Sequence, residues 1–218
     1  MDALLEPLVN SPDLFRYVAE LEAITRVERE RRNRFYAEIT PEQKWEFING
    51  EVVMHSPATA KHSQIRGRIE CLLRTFAASR GAGWAGGEKT LIRCQRNDYE
   101  PDVLFFGPEK AREIAPDTLR FPPPDFAVEI LSESTAHRDR GIKMRDYAAH
   151  GVAEYWIVDP VEEAIEQYFI GPDGAYALHA KQVDGSMHSR AVAGWVMPVR
   201  AAFDDAENLA ALRAMLAS

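Results

Sequence analysis

Pro101-Asp102-Val103-Leu104-Phe105-Phe106 and Asp125-Phe126-Ala127-Val128-Glu129-Ile130-Leu131 each set a carboxylate inside or beside an apolar run. Both runs have the length and composition of buried strands. A charge in such a strand is costly unless it is paired or holds a metal. Asp102 and Glu129 are therefore the first candidates for chemistry. Lys143 follows fourteen residues after Glu129, on a segment with helical spacing. Two carboxylates and a lysine are the minimal kit for metal-assisted hydrolysis of a phosphodiester.

Upstream, Trp45 to Met54 reads as a β-hairpin, because Asn49-Gly50 favours the type I′ turn that matches strand twist. Residues 62–80 read as a helix with Ile65, Ile69, Leu72, Leu73 and Phe76 on one face, ended by Gly81 and Gly83. Thr90 to Arg96 and Asp102 to Phe106 are expected to pair as strands. Pro108 to Pro124 is a loop, with one helical turn at Glu109 to Ile114. Downstream, Ser134 or Thr135 is expected to cap a helix running to His150 and stopped by Gly151. Tyr155 to Val158 is a strand, Ile165 to Ile170 and Ala175 to His179 form a hairpin, and Asp205 to Leu216 is a last helix. At the other end, residues 11–36 read as a helix with Ser11 as cap and Pro12 at its first position. Its apolar stripe, Leu14, Val18, Leu21 and Ile24, calls for docking on the core or on a second subunit.

The chain has 218 residues, 46% of them apolar, enough for a full core. No run approaches the ~20 apolar residues that span a bilayer, and the first residues lack a signal peptide's basic region. Cys71 and Cys94 fall in different elements and read as two reduced thiols. A soluble, cytoplasmic protein with no membrane partner is expected. The net charge of −8 argues against avid, non-specific nucleic-acid binding. The segment from Lys61 to Arg96 is the exception, with eight basic residues opposed by Glu70 and Glu88. Such a locally basic face either guides DNA or is a solvated helix surface.

Pro101-Asp102, the run from Asp125 through Glu129 to Ser132, Ser134 and Thr135, then Asp139, Lys143, Tyr147 and Gly151 to Pro160 resemble the Uma-type family of restriction-endonuclease-like proteins. That family sits within the PD-(D/E)XK nuclease superfamily. The resemblance runs from about Trp45 to about Tyr176. It implies an α/β fold with a restriction-endonuclease-like mixed β-sheet core flanked by helices, preceded by an N-terminal helical extension. The corresponding boundaries are 1–40 for the extension, 41–200 for the nuclease-like domain and 201–218 for a C-terminal helix packed on it. The implied activity is metal-dependent endonucleolytic cleavage of DNA, of restriction or mobile-element type; cutting both strands of a duplex needs two active sites, and with the unpartnered stripe of the 11–36 helix this leads us to expect a homodimer.

If the strands at 102–106 and 126–131 are neighbours, ~4.8 Å apart, Asp102 and Glu129 reach one ion. Mg²⁺, with Mn²⁺ as a substitute, takes such oxygen ligands, and the main-chain carbonyl of Ile130 is a natural third. The superfamily's usual Glu-x-Lys would place lysine at position 131, which here is Leu131. The Uma-type family carries its lysine on the following helix, so the resemblance implies that Lys143 orients the nucleophilic water or stabilises developing charge. Glu51 matches the family's early Gly-Glu acid, as a base or second-metal ligand, or else is an exposed hairpin acid. His62, Arg66 and Arg68 on the basic helix are candidates for substrate binding. Tyr147, four residues past Lys143, either holds that lysine or packs. Two rivals stand beside the nuclease. One is a non-catalytic binding or assembly module with the same fold, favoured by the net acidity and by Ser132-Glu133-Ser134. The other is a glycosidase using the two acids, which leaves the lysine idle.

Overall fold

Side-chain alternation along the strands decides what faces what. A computed structural model describes residue 3 and residues 5–217; residues 1, 2, 4 and 218, at the outer ends of the expected terminal extensions, lie outside the described residues. The chain opens with a short α1 (Glu6–Val9) and a long α2 (Leu14–Glu38). The hairpin β1 (Trp45–Ile48) and β2 (Glu51–Met54) follows, then α3 (Ala60–Arg80). Next come β3 (Trp84–Gly87), β4 (Ile92–Arg93), β5 (Asp98–Tyr99), β6 (Val103–Phe106), α4 (Pro108–Ala111) and β7 (Phe126–Ile130). A crossover follows: α5 (Ala136–Arg138), a π-helical turn (Asp139–Lys143) and α6 (Met144–Ala149). The remainder is β8 (Glu154–Asp159), β9 (Ala164–Ile170), β10 (Tyr176–Gln182), β11 (Ser186–His188), β12 (Val196–Pro198), a 3₁₀ turn and α7 (Asp205–Ala217).

Six strands form the main sheet in the order β10-β9-β8-β7-β6-β3. The β7–β8 pair is parallel and the others are antiparallel, which makes the sheet mixed. A second sheet, β2-β1-β5-β4, lies beside it. Val103, Phe105, Phe126, Val128, Ile130, Trp156 and Val158 point to one face and pack with α3, the β11–β12 ribbon and α7. Leu104, Phe106, Ala127, Tyr155 and Ile157 point to the other, against α6 and the second sheet. Asp102 and Glu129 share the parity of this second group.

The Asn49-Gly50 turn is as expected, with φ of 51° and 84°, the left-handed pair of a type I′ turn. The expected pairing of Thr90–Arg96 with Asp102–Phe106 is not found. The partner of β6 is β3, a strand hidden by its glycines. A Cβ at Gly87 would lie 2.6 Å from the Asp102 carbonyl oxygen, so close backbone approach, not strand propensity, selects that residue. Residues 92–93 pair instead with 98–99. The expected cap of α2 is displaced from Ser11 to Asp13. Helix α2 starts at Leu14, with the Ser11 hydroxyl accepting from Asp13 N at 3.1 Å. At the crossover helix Thr135 does occupy the expected N-cap position, but its side chain makes no capping bond and its Oγ1 instead accepts from Ser132 N at 3.3 Å. That helix also contains the π turn, whose extra residue periodicity does not reveal.

Only the C-terminal half of α2 meets the body of the protein. Phe35 is buried against Phe47 and Leu91. Arg32 forks onto the buried Asp98 with two 2.7 Å contacts and donates to the carbonyls of Cys94, Gln95 and Asn97. Tyr36 adds a hydrogen bond to Asp98 at 2.8 Å. Earlier in the helix, Phe15, Val18, Leu21, Ile24 and Val27 are exposed. The fork sets a test. Arg32→Ala leaves Asp98 buried without its cation, and urea unfolding should show a loss of about 3–5 kcal/mol. Arg32→Lys should recover less than half of it, because an ammonium cannot reproduce the planar fork.

Candidate active site

The β6–β7 register pairs Val103 with Val128; one step further it sets Asp102 opposite Glu129. Both are buried, at the floor of a cleft of about 1180 Å³. Asp102 Oδ1 accepts from Lys44 Nζ at 2.9 Å, and Oδ2 from Ile130 N at 2.9 Å. His62 Nε2 lies 3.2 Å from the same Oδ2. Glu129 Oε1 accepts from the Tyr147 hydroxyl at 2.7 Å and from Lys143 Nζ at 3.1 Å. Lys143 also lies 2.9 Å from Glu46 Oε1 and 3.3 Å from Asp139 Oδ1. Glu46 in turn accepts from Glu100 N at 3.0 Å, and its Oε2 lies 2.9 Å from His55 Nε2.

The sequence-based candidates thus separate. Asp102, Glu129, Lys143, Tyr147, His62 and Ile130 come together, although the polar role seen for Ile130 is its N–H. Glu51 does not join them: it is exposed on β2 and paired with Arg31. Glu46, five residues earlier and on the other hairpin strand, is the acid that faces inward, with the parity of buried Ile48. The rule that singled out Glu129, a charge in a buried strand, would have found it. Lys44, His55 and Asp139 complete the cluster. The basic segment is largely engaged internally. Arg66 pairs with Glu70 and Glu88, Arg68 with Asp205, Arg74 with Glu70 and Arg96 with Glu28.

The electrostatics follow from crowding. Burial opposes the charge on Lys143, but Glu129, Glu46 and Asp139 outweigh it and hold its pKa well above the ordinary value. Burial likewise opposes ionisation of Asp102, and His62 and Lys44 reverse this, lowering its pKa. Glu46 is lowered against burial by Lys143 and His55. Glu129 is the acid left over: burial, then Asp139, Asp102 and Glu46, raise its pKa despite Lys143. The cluster sets four carboxylates, Glu46, Asp102, Glu129 and Asp139, against two lysines and two histidines. Hard carboxylate oxygens crowded at one place are the donor set that a divalent cation such as Mg²⁺ fits. A second group, Cys94, Asp146 and His150, does not fit a metal. His150 Nε2 accepts from Gln95 N at 2.8 Å, its Nδ1 is engaged by Asp146, and Asp146 accepts from Asn97 and Tyr99.

Glu100 offers a pH test beside the cluster. Burial pushes its carboxyl up to about 7. A carboxyl raised in the folded state favours folding below its unfolded pKa, near 4.5, and that contribution is lost as pH rises through 7. Glu100→Gln should therefore gain stability relative to wild type between pH 5 and pH 8, by up to about 3 kcal/mol. Chemical denaturation at the two pH values checks this; a pH-independent difference would mean the carboxyl does not titrate there.

Comparison with known proteins adds the following. A solved structure from Anabaena variabilis ATCC 29413, titled "putative nuclease belonging to DUF820", superposes with a TM-score of 0.67 at 17% identity, covering 78% of this chain and 96% of that one. This shows a shared fold. No curated protein matches the chain. The sequence profile of the Uma2 family, described as "Putative restriction endonuclease", matches residues 29–200, and the chain belongs to that family.

Proposed function

We propose that this protein is a metal-dependent endonuclease that hydrolyses phosphodiester bonds in DNA, of restriction or mobile-element type. The carrying observation is the buried pair Asp102 and Glu129, facing each other on adjacent strands at the floor of a large cleft, with Glu129 sharing its one cation, Lys143, with Glu46 and Asp139. Asp102 and Glu129 would hold Mg²⁺ or Mn²⁺, with the Ile130 carbonyl as a third ligand. When bound, the ion supplies Lewis acidity toward the scissile phosphate and a lowered pKa for the attacking water. The chain's own residues do the rest. Ile130 N and His62 aim the Asp102 carboxylate, and Tyr147 and Lys143 aim Glu129. Carboxylates held this way need little reorganisation when the substrate arrives.

The remaining assignments are carried by less. Glu51 would act only through movement of its hairpin, since it is exposed and paired. Arg66 and Arg68 would meet DNA only by exchanging an acid for a phosphate. That internal pairing favours the rival reading, a non-catalytic module with the nuclease fold. A homodimer is supported by the exposed apolar stripe on α2. Among the described residues no helix is long and apolar enough to cross a membrane.

Two measurements separate the readings. Calorimetric titration of Mn²⁺ should show binding that Glu129→Gln abolishes, and undiminished binding in that variant would remove the site. Supercoiled plasmid should be nicked by wild type with Mg²⁺ or Mn²⁺ and left intact by Asp102→Ala. Binding of DNA without nicking, by wild type and variant alike, is the signature of the non-catalytic module. Light scattering on a chain lacking residues 1–27, which spares Arg32, Phe35 and Tyr36, should report a monomer if the exposed stripe of α2 carries the dimer.

A further inference from the structure

A lysine that serves a reacting phosphate needs a donor left over for it. An ammonium has three N–H donors and no acceptor. Around Lys143 Nζ, three carboxylates stand at 2.9, 3.1 and 3.3 Å, and its side chain is 2% exposed. The Tyr99 ring lies against it, 5.9 Å from Nζ. Its sphere is filled by the protein.

Lys44 is in the opposite state. It stands just before β1, with the parity of Glu46, so its side chain enters the same cluster. Asp102 Oδ1 is its one carboxylate partner among the described residues, at 2.9 Å, and the side chain is 19% exposed along the cleft. Two of its donors are uncommitted. The cleft holds a second cation without a partner. Arg138, at the end of α5, lines the cleft. Its Nε is buried and has no hydrogen-bond partner among the described residues, and no carboxylate pairs with it. A buried, unmatched guanidinium nitrogen is expensive, and a phosphate, which a guanidinium meets in bidentate fashion, would satisfy it. The other cleft cations are engaged: Lys61 with Glu163 at 3.3 Å and Lys89 with the Pro41 carbonyl at 2.8 Å.

We infer that Lys44 and Arg138 are the residues that contact the scissile phosphate, and that Lys143 is a positioning residue which holds Glu46, Glu129 and Asp139 in place. This rests on the nuclease reading above and names the groups that meet its substrate. Lys44 keeps Asp102 on one donor and turns the others to a phosphate oxygen, while Arg138 reaches it from the crossover helix. No covalent step is assigned to either.

The test is anisotropy of a short fluorescein-labelled DNA duplex with EDTA present, over a range of salt. Lys44→Met and Arg138→Met should each weaken binding about five- to tenfold and flatten the slope of log K against log salt by up to about one. Lys44→Arg should restore most of the affinity. Lys143→Met should melt at a lower temperature, yet its folded fraction should bind within about twofold of wild type. With Mg²⁺, Lys44→Met and Arg138→Met should also cut more slowly. Wild-type affinity and slope in both methionine variants would overturn the inference and leave the nuclease reading standing. So would a loss of affinity confined to Lys143→Met. A wild type that neither binds nor cuts DNA would overturn both. Circular dichroism of each variant secures the comparison, and the Lys44 and Arg138 arms decide even if Lys143→Met does not fold.

Discussion

Everything around the cleft is arranged to keep one ammonium among three carboxylates out of water. Lys143 comes from the crossover helix, Glu46 from the second sheet, Glu129 from the main sheet and Asp139 from the π turn. Desolvating four charges is expensive, and mutual attraction offsets it only where the geometry is good and the leftover lone pairs are matched. Here His55 and the Glu100 amide match Glu46, and Tyr147 matches Glu129. Asp139 Oδ1 has no hydrogen bond. Removing any one member strands the others, so the cluster fixes how the second sheet, the crossover helix and β7 sit against each other.

The same cluster explains why chemistry and stability are coupled here. Four carboxylates share two lysines and two histidines, and the crowding falls on Glu129, whose pKa is raised by burial and by Asp139, Asp102 and Glu46. On the proposed reading, a bound divalent cation would relieve that crowding.

Much of the fold was legible because it follows from periodicity. The run 126–131, the hairpin at Asn49-Gly50 and the helix carrying Ile65, Ile69, Leu72 and Phe76 each state their geometry locally. Strand β3 does not: Trp84-Ala85-Gly86-Gly87 reads as a loop, and only the approach of the Asp102 carbonyl makes it a strand. The π turn is equally silent, since Asp139 to Lys143 scans as ordinary helix. At the site, Asp102 and Glu129 announce themselves as charges in apolar runs, and Glu46 does so by the same rule, in a strand too short to draw the eye. Lys44 gives no local signal. Nor do the partners of the basic helix, because Arg68 meets an acid more than a hundred positions away and Arg96 one from the opposite direction. Charge counted along the chain is not charge presented to a ligand.

The crossover from β7 to β8 is the one parallel joint in the main sheet, and it carries Arg138, Asp139, Lys143 and Tyr147. The hairpin with Lys44 and Glu46 is separated from it by nearly half the chain. Neither half holds a working arrangement alone: the hairpin has an acid and a lysine without a floor, and the β7 unit has a floor without its opposing wall. Long-range closure of this kind is late and cooperative. A nascent or partly unfolded copy therefore lacks the assembled cleft, and the arrangement of Lys44, Glu46, Asp102, Glu129 and Lys143 exists only when synthesis and folding are complete.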